Sequence, residues 1–251
     1  METTETITQA WTAPRLREAA EDPNNPSGQF LTIDRIFSIS GETLVCDVSI
    51  SAGMQANDIV RVRGQFGGVI FDAPEVRLSS PPRNFTIAFP KFMLYGSSGD
   101  SLNLNFALRK QGGGDWLISQ SRFVRIQSQP LAPQVPVLPS GSRMLEVQYA
   151  GMAAGHTVRA RLFSSATQFE DTQEVRVGSG RVQIEIPRSW FIANSGKTVW
   201  INYAVNRPGD ARRIISRLLY IERLQVPRRN LIQTLADCWL WFKYQLLSKR
   251  T

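Results

Sequence analysis

Met54-Gln-Ala-Asn-Asp-Ile-Val60-Arg61-Val-Arg63 and Met152-Ala-Ala-Gly-His-Thr-Val158-Arg159-Ala-Arg161 are one pattern written twice, 98 residues apart. In each, a short turn opens a stretch in which small apolar residues alternate with arginine. Alternation of period two puts Val60 and Val62 on one face of a strand and Arg61 and Arg63 on the other. Val158, Ala160, Arg159 and Arg161 repeat that arrangement, so the arginines read as an outer sheet face rather than as a catalytic pair. The match resumes downstream at an offset of 97, where Phe89-Pro90-Lys91 lies over Ile186-Pro187-Arg188. At the same offset Ser98-Gly99 and Leu104-Asn105-Phe106-Ala107-Leu108 lie over Ser195-Gly196 and Ile201-Asn202-Tyr203-Ala204-Val205. A repeat of about a hundred residues has the size of a small all-β domain and is too long for a solenoid unit.

The rest of the chain fits two such domains. Its 251 residues exceed the commonest single-domain size, and 42% hydrophobic residues suffice for a core in each half. Period-two alternation predicts strands in Phe30 to Phe37, Leu44 to Ile50, Asn84 to Phe89, Leu102 to Leu108 and Trp116 to Ile126. In the second copy it predicts strands at Arg181 to Ile186, Thr198 to Val205 and Ile214 to Leu224. Gly112-Gly-Gly-Asp115 and Arg207-Pro-Gly-Asp210 are hairpin turns. Glu21-Asp-Pro-Asn-Asn-Pro-Ser-Gly28 is a cluster of turn formers without alternation. Alternation also lapses after Pro90 and after Pro187, which suggests a helical turn capping each sandwich. Pro130 to Pro139 holds four prolines in ten residues, a semi-rigid linker whose second half doubles as an edge strand.

Past Pro227 the pattern becomes helical. Asn230 is a good N-cap, and Leu231, Ile232, Leu235, Cys238, Trp239, Phe242 and Leu246 fall on one face of a helix. Trp241 lies on the other side, and Asp237 and Lys243 interrupt a run already too short to span a bilayer. From Arg207 onward the sequence holds ten cations against three carboxylates, so this end carries nearly all of the net charge of +8. Arg228 and Arg229 precede the apolar face, and with it they form a candidate surface for docking a partner or a membrane.

Tyr149-Ala-Gly-Met-Ala-Ala-Gly-His-Thr-Val-Arg159, Val182-Gln-Ile-Glu-Ile-Pro187 and Ser195-Gly-Lys-Thr-Val-Trp-Ile-Asn-Tyr-Ala-Val205 resemble a known family. It comprises the Ig-like repeats strung in tandem in large, uncharacterised pseudomonad proteins, akin to the β-sandwich repeats of invasin-type adhesins. The first copy departs from that pattern, with Asn57 for the turn glycine, Asp100 for the lysine and about twenty extra residues before Met54. The resemblance implies a fold and assigns no residue to chemistry. The fold expected is all-β: two tandem Ig-like antiparallel β-sandwich domains plus a short C-terminal amphipathic helix. Residues 1–11 form a polar tail, 12–130 the first domain, 131–227 the second and 228–251 the helix.

The sequence offers little for catalysis. His156 is the single histidine, in the turn position that Asp58 holds in the other copy. No phosphate loop, dinucleotide fingerprint or cysteine pair at metal spacing occurs, and Gly112-Gly-Gly114 is a turn. Cys46 and Cys238 occupy non-equivalent places and read as reduced thiols. No catalytic, cofactor or metal residue is assigned, and no cofactor is expected. Trp190 and Trp200 line a ligand groove or belong to the core, with the core favoured. The expected function is non-enzymatic binding or assembly, toward a protein partner or a second copy, with a glycan or an anionic membrane surface as further candidates. Leu231, Leu235, Trp239, Trp241, Phe242, Leu246, Arg228 and Arg229 would carry the docking. The alternative is a membrane-active bacterial effector or toxin using the same helix; nucleic acid is disfavoured. An acidic N-terminus without an apolar stretch argues for a cytoplasmic protein or a Sec-independent export route.

Overall fold

A computed structural model describes residues 6–7, 11–131, 133–165, 168–178 and 180–227. The helix expected over 228–251, its docking residues and Cys238 lie outside the described residues.

The repeat is visible in hydrogen-bond register. Strand Ile59–Phe66 runs antiparallel to Ser101–Arg109, with Arg61 opposite Ala107 and Arg63 opposite Asn105. Strand Thr157–Phe163 runs antiparallel to Val199–Asn206, with Arg159 opposite Ala204 and Arg161 opposite Asn202. Residues equivalent in sequence therefore pair with equivalent residues. The second layer of each sandwich repeats as well. Thr43–Val48 pairs with Phe85–Pro90, putting Cys46 opposite Ile87. Met144–Val147 pairs with Val182–Glu185, putting Leu145 opposite Ile184.

Alternation decides what each sheet buries. Val60, Val62, Leu104, Phe106, Cys46 and Phe89 close the first core, and Val158, Ala160, Ile201, Tyr203, Leu145 and Ile186 close the second. Helix α2 (Lys91–Gly96) and helix α3 (Arg188–Ala193) each follow a proline, which cannot continue the ladder but fits a helix start. Ser97 and Asn194 end them alike, each side chain donating to a carbonyl four residues back, Met93 and Trp190 respectively.

Four features differ from the expectation. Trp11, expected in the polar tail, is buried in the first core and stacks on Phe106 at 5.9 Å. Phe30 to Phe37 is not one strand: Asn25–Leu31 is extended, then helix α1 runs Ile33–Ser38. The hydroxyl of Thr32 accepts from the Arg35 N–H and Asp34 sits in the first turn, so local capping overrides the alternation. Nor is the first sandwich wholly antiparallel. Arg15–Leu16 pairs with Thr43–Val48 in one sheet; the chain then crosses to the other, where Asn25–Leu31 lies parallel to Arg122–Ile126. Buried Gln29 holds the crossing: its carbonyl accepts from the Leu16 N–H and its amide donates to the carbonyls of Leu16 and Ala19. Finally, Trp116 to Ile126 and Ile214 to Leu224 are each broken in two, at Ser119 and at Ser216. Each serine hydroxyl accepts from an N–H of the neighbouring strand, that of Phe106 or Tyr203, and donates to the next carbonyl of its own chain.

The two sandwiches share a joint. Phe163, Trp200 and Leu218 of the second repeat pack into the apolar cluster of the first. Trp200 lies 5.6 Å from Phe71 and 5.4 Å from Phe92, and Phe92 lies 4.3 Å from Phe163, ring centre to ring centre. Leu218 presses on Gly96, where an added Cβ would meet its Cδ1 at 2.6 Å.

Candidate functional site

Because the arginines at 61, 63, 159 and 161 share the outer faces of the two large sheets, each pair needs a counter-charge there. A neighbouring strand supplies it at the same register: Asp72 opposite Arg63 and Asp171 opposite Arg161. Arg63 meets Asp72 through two hydrogen bonds of 2.7 and 3.0 Å, and Arg161 meets Asp171 through two of 2.5 and 2.8 Å. Burial opposes ionisation of Asp171, yet the Arg161 guanidinium outweighs it and holds the carboxyl below the usual range.

Above Arg159 and Arg161 the outer sheet face is only partly open to solvent. The first repeat overhangs it with Phe37 of α1 and Lys91, Phe92 and Tyr95 of α2, enclosing a cleft of about 400 Å³ between the repeats. Arg212 and Arg213 close its rim and Glu42 its wall. Ion pairs cross it: Arg161 reaches Glu42 at 3.2 Å, and Arg212 pairs with Asp34. Lys91 donates to the Ile39 carbonyl, and burial lowers its pKa. Burial likewise lowers that of Arg159. A half-open, cation-lined space with aromatic walls at a domain boundary has the make-up of a small-molecule pocket.

The residues singled out in the sequence lie elsewhere. Trp190 and Trp200 are buried, at 4% and 6% exposure, the first in the second core and the second in the joint, so neither indole opens to a groove. His156 Nδ1 is 2.8 Å from the Tyr149 hydroxyl, and the rings stack at 6.0 Å. Its counterpart Asp58 accepts from the Gln55 and Gln111 N–H groups and from Lys110, so both positions tie a turn together. Cys46 is fully buried, and desolvation pushes its thiol up to about 12. Among the described residues, no group of three or more histidine, cysteine, aspartate or glutamate side chains is placed to hold a metal ion. No helix among them is long and apolar enough to cross a membrane. The cleft was missed because its walls come from both repeats; the hint was the pairing of Phe37 and Tyr95 in one copy with an arginine-rich face in the other.

No family model and no curated protein matches the chain. Among solved structures it is similar to a tetra-tandem repeat from the extending region of a large adhesion protein, at 10% identity and a TM-score of 0.29 over 76% of this chain and 48% of that one. It is also similar to a structure bearing on host cell surface retention of a 1.5-MDa bacterial ice-binding adhesin, at 9% identity and a TM-score of 0.28 over 87% of this chain and 66% of that one. The chain thus spans about half of the first. Likenesses this slight fix neither a shared fold nor a shared function.

Proposed function

We propose that this chain is a non-enzymatic binding or assembly protein built on two Ig-like repeats, 12–130 and 131–227, with the segment 228–251 as its docking element toward a protein partner or a second copy. The joint carries this reading. Burying Phe92, Phe163, Trp200 and Leu218 between the repeats, at about 1.5–3 kcal/mol for each large side chain, welds them into one body suited to presenting a surface rather than to opening around a substrate. The joint is not repeated outward. Where the first repeat offers Phe71 and Phe92, the second has exposed Glu170 and Ser189; where the second offers Phe163, Trp200 and Leu218, the first has Gln65, Asn103 and Ser121. A further copy added in the same way would meet these polar residues, with exposed Phe123 beside Asn103 and exposed Ile192 beside Ser189. Association is assigned to the apolar residues Leu231, Leu235, Trp239, Phe242 and Leu246, which lie outside the described residues. Their segment follows directly on Pro227, whose carbonyl accepts from Arg188 of the second repeat.

The test is sedimentation velocity on the full chain and on a full-length Leu235→Glu/Leu246→Glu variant. Self-association, or added stability, that the variant loses supports docking through the stripe. A full chain that is monomeric and melts and dissolves like the variant overturns it. Flotation with anionic vesicles that weakens with salt would assign the stripe to a membrane surface instead.

A further inference from the structure

We infer that the cleft between the repeats binds a small aromatic acid, a planar ring bearing one carboxylate. The internal symmetry of the chain shows what is missing there. In the first repeat Trp116 lies between two guanidiniums, 4.3 Å from Arg61 and 4.8 Å from Arg109, and is 5% exposed. At the same offsets Arg61 becomes Arg159 and Trp116 becomes Arg213. Arg213 pairs with Glu174 at 3.2 Å, and among the described residues no ring stands over Arg159. Arg159 and Arg213, the counterparts of Arg61 and Trp116, instead line the cleft of about 400 Å³, within the usual range for small-molecule pockets of roughly 300–1,000 Å³.

Both halves of the ligand have counterparts. For a ring the cleft has the guanidinium of Arg159 and the aromatic side chains of Phe37 and Tyr95, which pack on each other at 5.2 Å. The acid is offered a small excess of positive charge. Lys91, Arg159, Arg161, Arg212 and Arg213 line the cleft. Against these five stand four carboxylates, Glu42, Asp171, Glu174 and Asp34. Asp171 is shared: it spends its short contacts on Arg161 and reaches Arg159 at 3.4 Å. An excess of one charge suits a monoanion. Charge-assisted bonds to a carboxylate would then complete the pairing of Arg159.

Amide chemical shifts of the full-length protein, titrated with indole-3-carboxylate, test this. Saturable shifts are expected at Phe37, Ala204, Ala211 and Ile215, with neutral indole and inorganic phosphate each at least about tenfold weaker. Arg213→Trp puts an indole beside Arg159 as Trp116 stands beside Arg61, with Asn206 in the place of Arg109, and should abolish binding without lowering the melting temperature. Arg159→Gln should weaken binding about tenfold, and it decides the matter if the tryptophan variant does not fold. Absence of saturable shifts in the cleft up to the solubility of the acid, or undiminished binding by folded Arg213→Trp or Arg159→Gln protein, would overturn the inference. Equal binding of inorganic phosphate would reduce the site to a patch of charge and overturn it too.

Discussion

Trp200 of the second repeat donates its indole N–H to the carbonyl of Ile70 in the first, at 2.9 Å, while its ring packs on Phe71 and Phe92. The two parts of that contact separate by mutation. Trp200→Phe keeps most of the ring area and leaves the Ile70 carbonyl unpaired, for a cost of about 1 kcal/mol. Trp200→Ala empties the joint as well and should cost about 3–5 kcal/mol. Calorimetry should show one transition for the parent chain and two for the alanine variant, the first repeat having lost part of its apolar cluster to solvent. A single sharp transition after Trp200→Ala would mean that the repeats are coupled some other way.

Gly96 makes a narrower test of the same joint. Its counterpart in the second repeat is Ala193, which is exposed, whereas a methyl at Gly96 would collide with Leu218. Gly96→Ala should therefore destabilise by about 1–3 kcal/mol through overpacking, although alanine is the better helix former in α2. Leu218→Ala in the same chain should recover part of the loss, and urea midpoints for the four proteins of the cycle measure the coupling. Additive effects would contradict a direct collision.

The repeat predicts matched costs at Ser119 and Ser216. Both are buried, and each satisfies one N–H and one carbonyl that the broken strand leaves over. Alanine at either position strands those groups, for about 1–3 kcal/mol. Ser119→Ala should bring forward the melting of the first repeat and Ser216→Ala that of the second, most clearly in a Trp200→Ala background where the two report separately. A cost confined to one of them would show that only one bend depends on its serine.

Much of this was legible in the sequence because it depends on period and offset. Val60-Arg61-Val62-Arg63 announced its strand and its two faces, and the offset of 97 carried Asn105 and Ala107 onto Asn202 and Ala204, the residues that share their register. What escaped depends on contacts that alternation does not encode. Gln29 looks like any polar strand residue until it is seen bonding Leu16 and Ala19 across the crossing. Ser119 and Ser216 sit inside alternating runs and break them through side-chain bonds. In the sequence Trp200 reads as core or groove, with core favoured; its place in the joint is decided by Phe71 and Phe92, over a hundred residues away. The cleft escaped for the same reason, lying between copies rather than within one.

Asp22 and Arg125 close the crossing from outside, with two hydrogen bonds of 2.8 and 2.7 Å, while the Arg125 guanidinium stacks at 4.1 Å on Phe30. The Arg125 side chain, with the Asn24 N–H adding to it, lowers the Asp22 carboxyl to about 2, from an unfolded value near 3.9. Because the unfolded chain takes up the proton first, the pair's contribution is fully present above the unfolded value and is lost as pH falls through about 2. Asp22→Asn removes the charge and keeps the shape, so it should be less stable than the parent by a constant margin at neutral pH. That margin should begin to narrow below about pH 4 and close near pH 2. Urea midpoints of both proteins across this range measure it. A margin that does not change with pH would show that Asp22 holds the crossing through packing and neutral hydrogen bonds, without need of its ionised form.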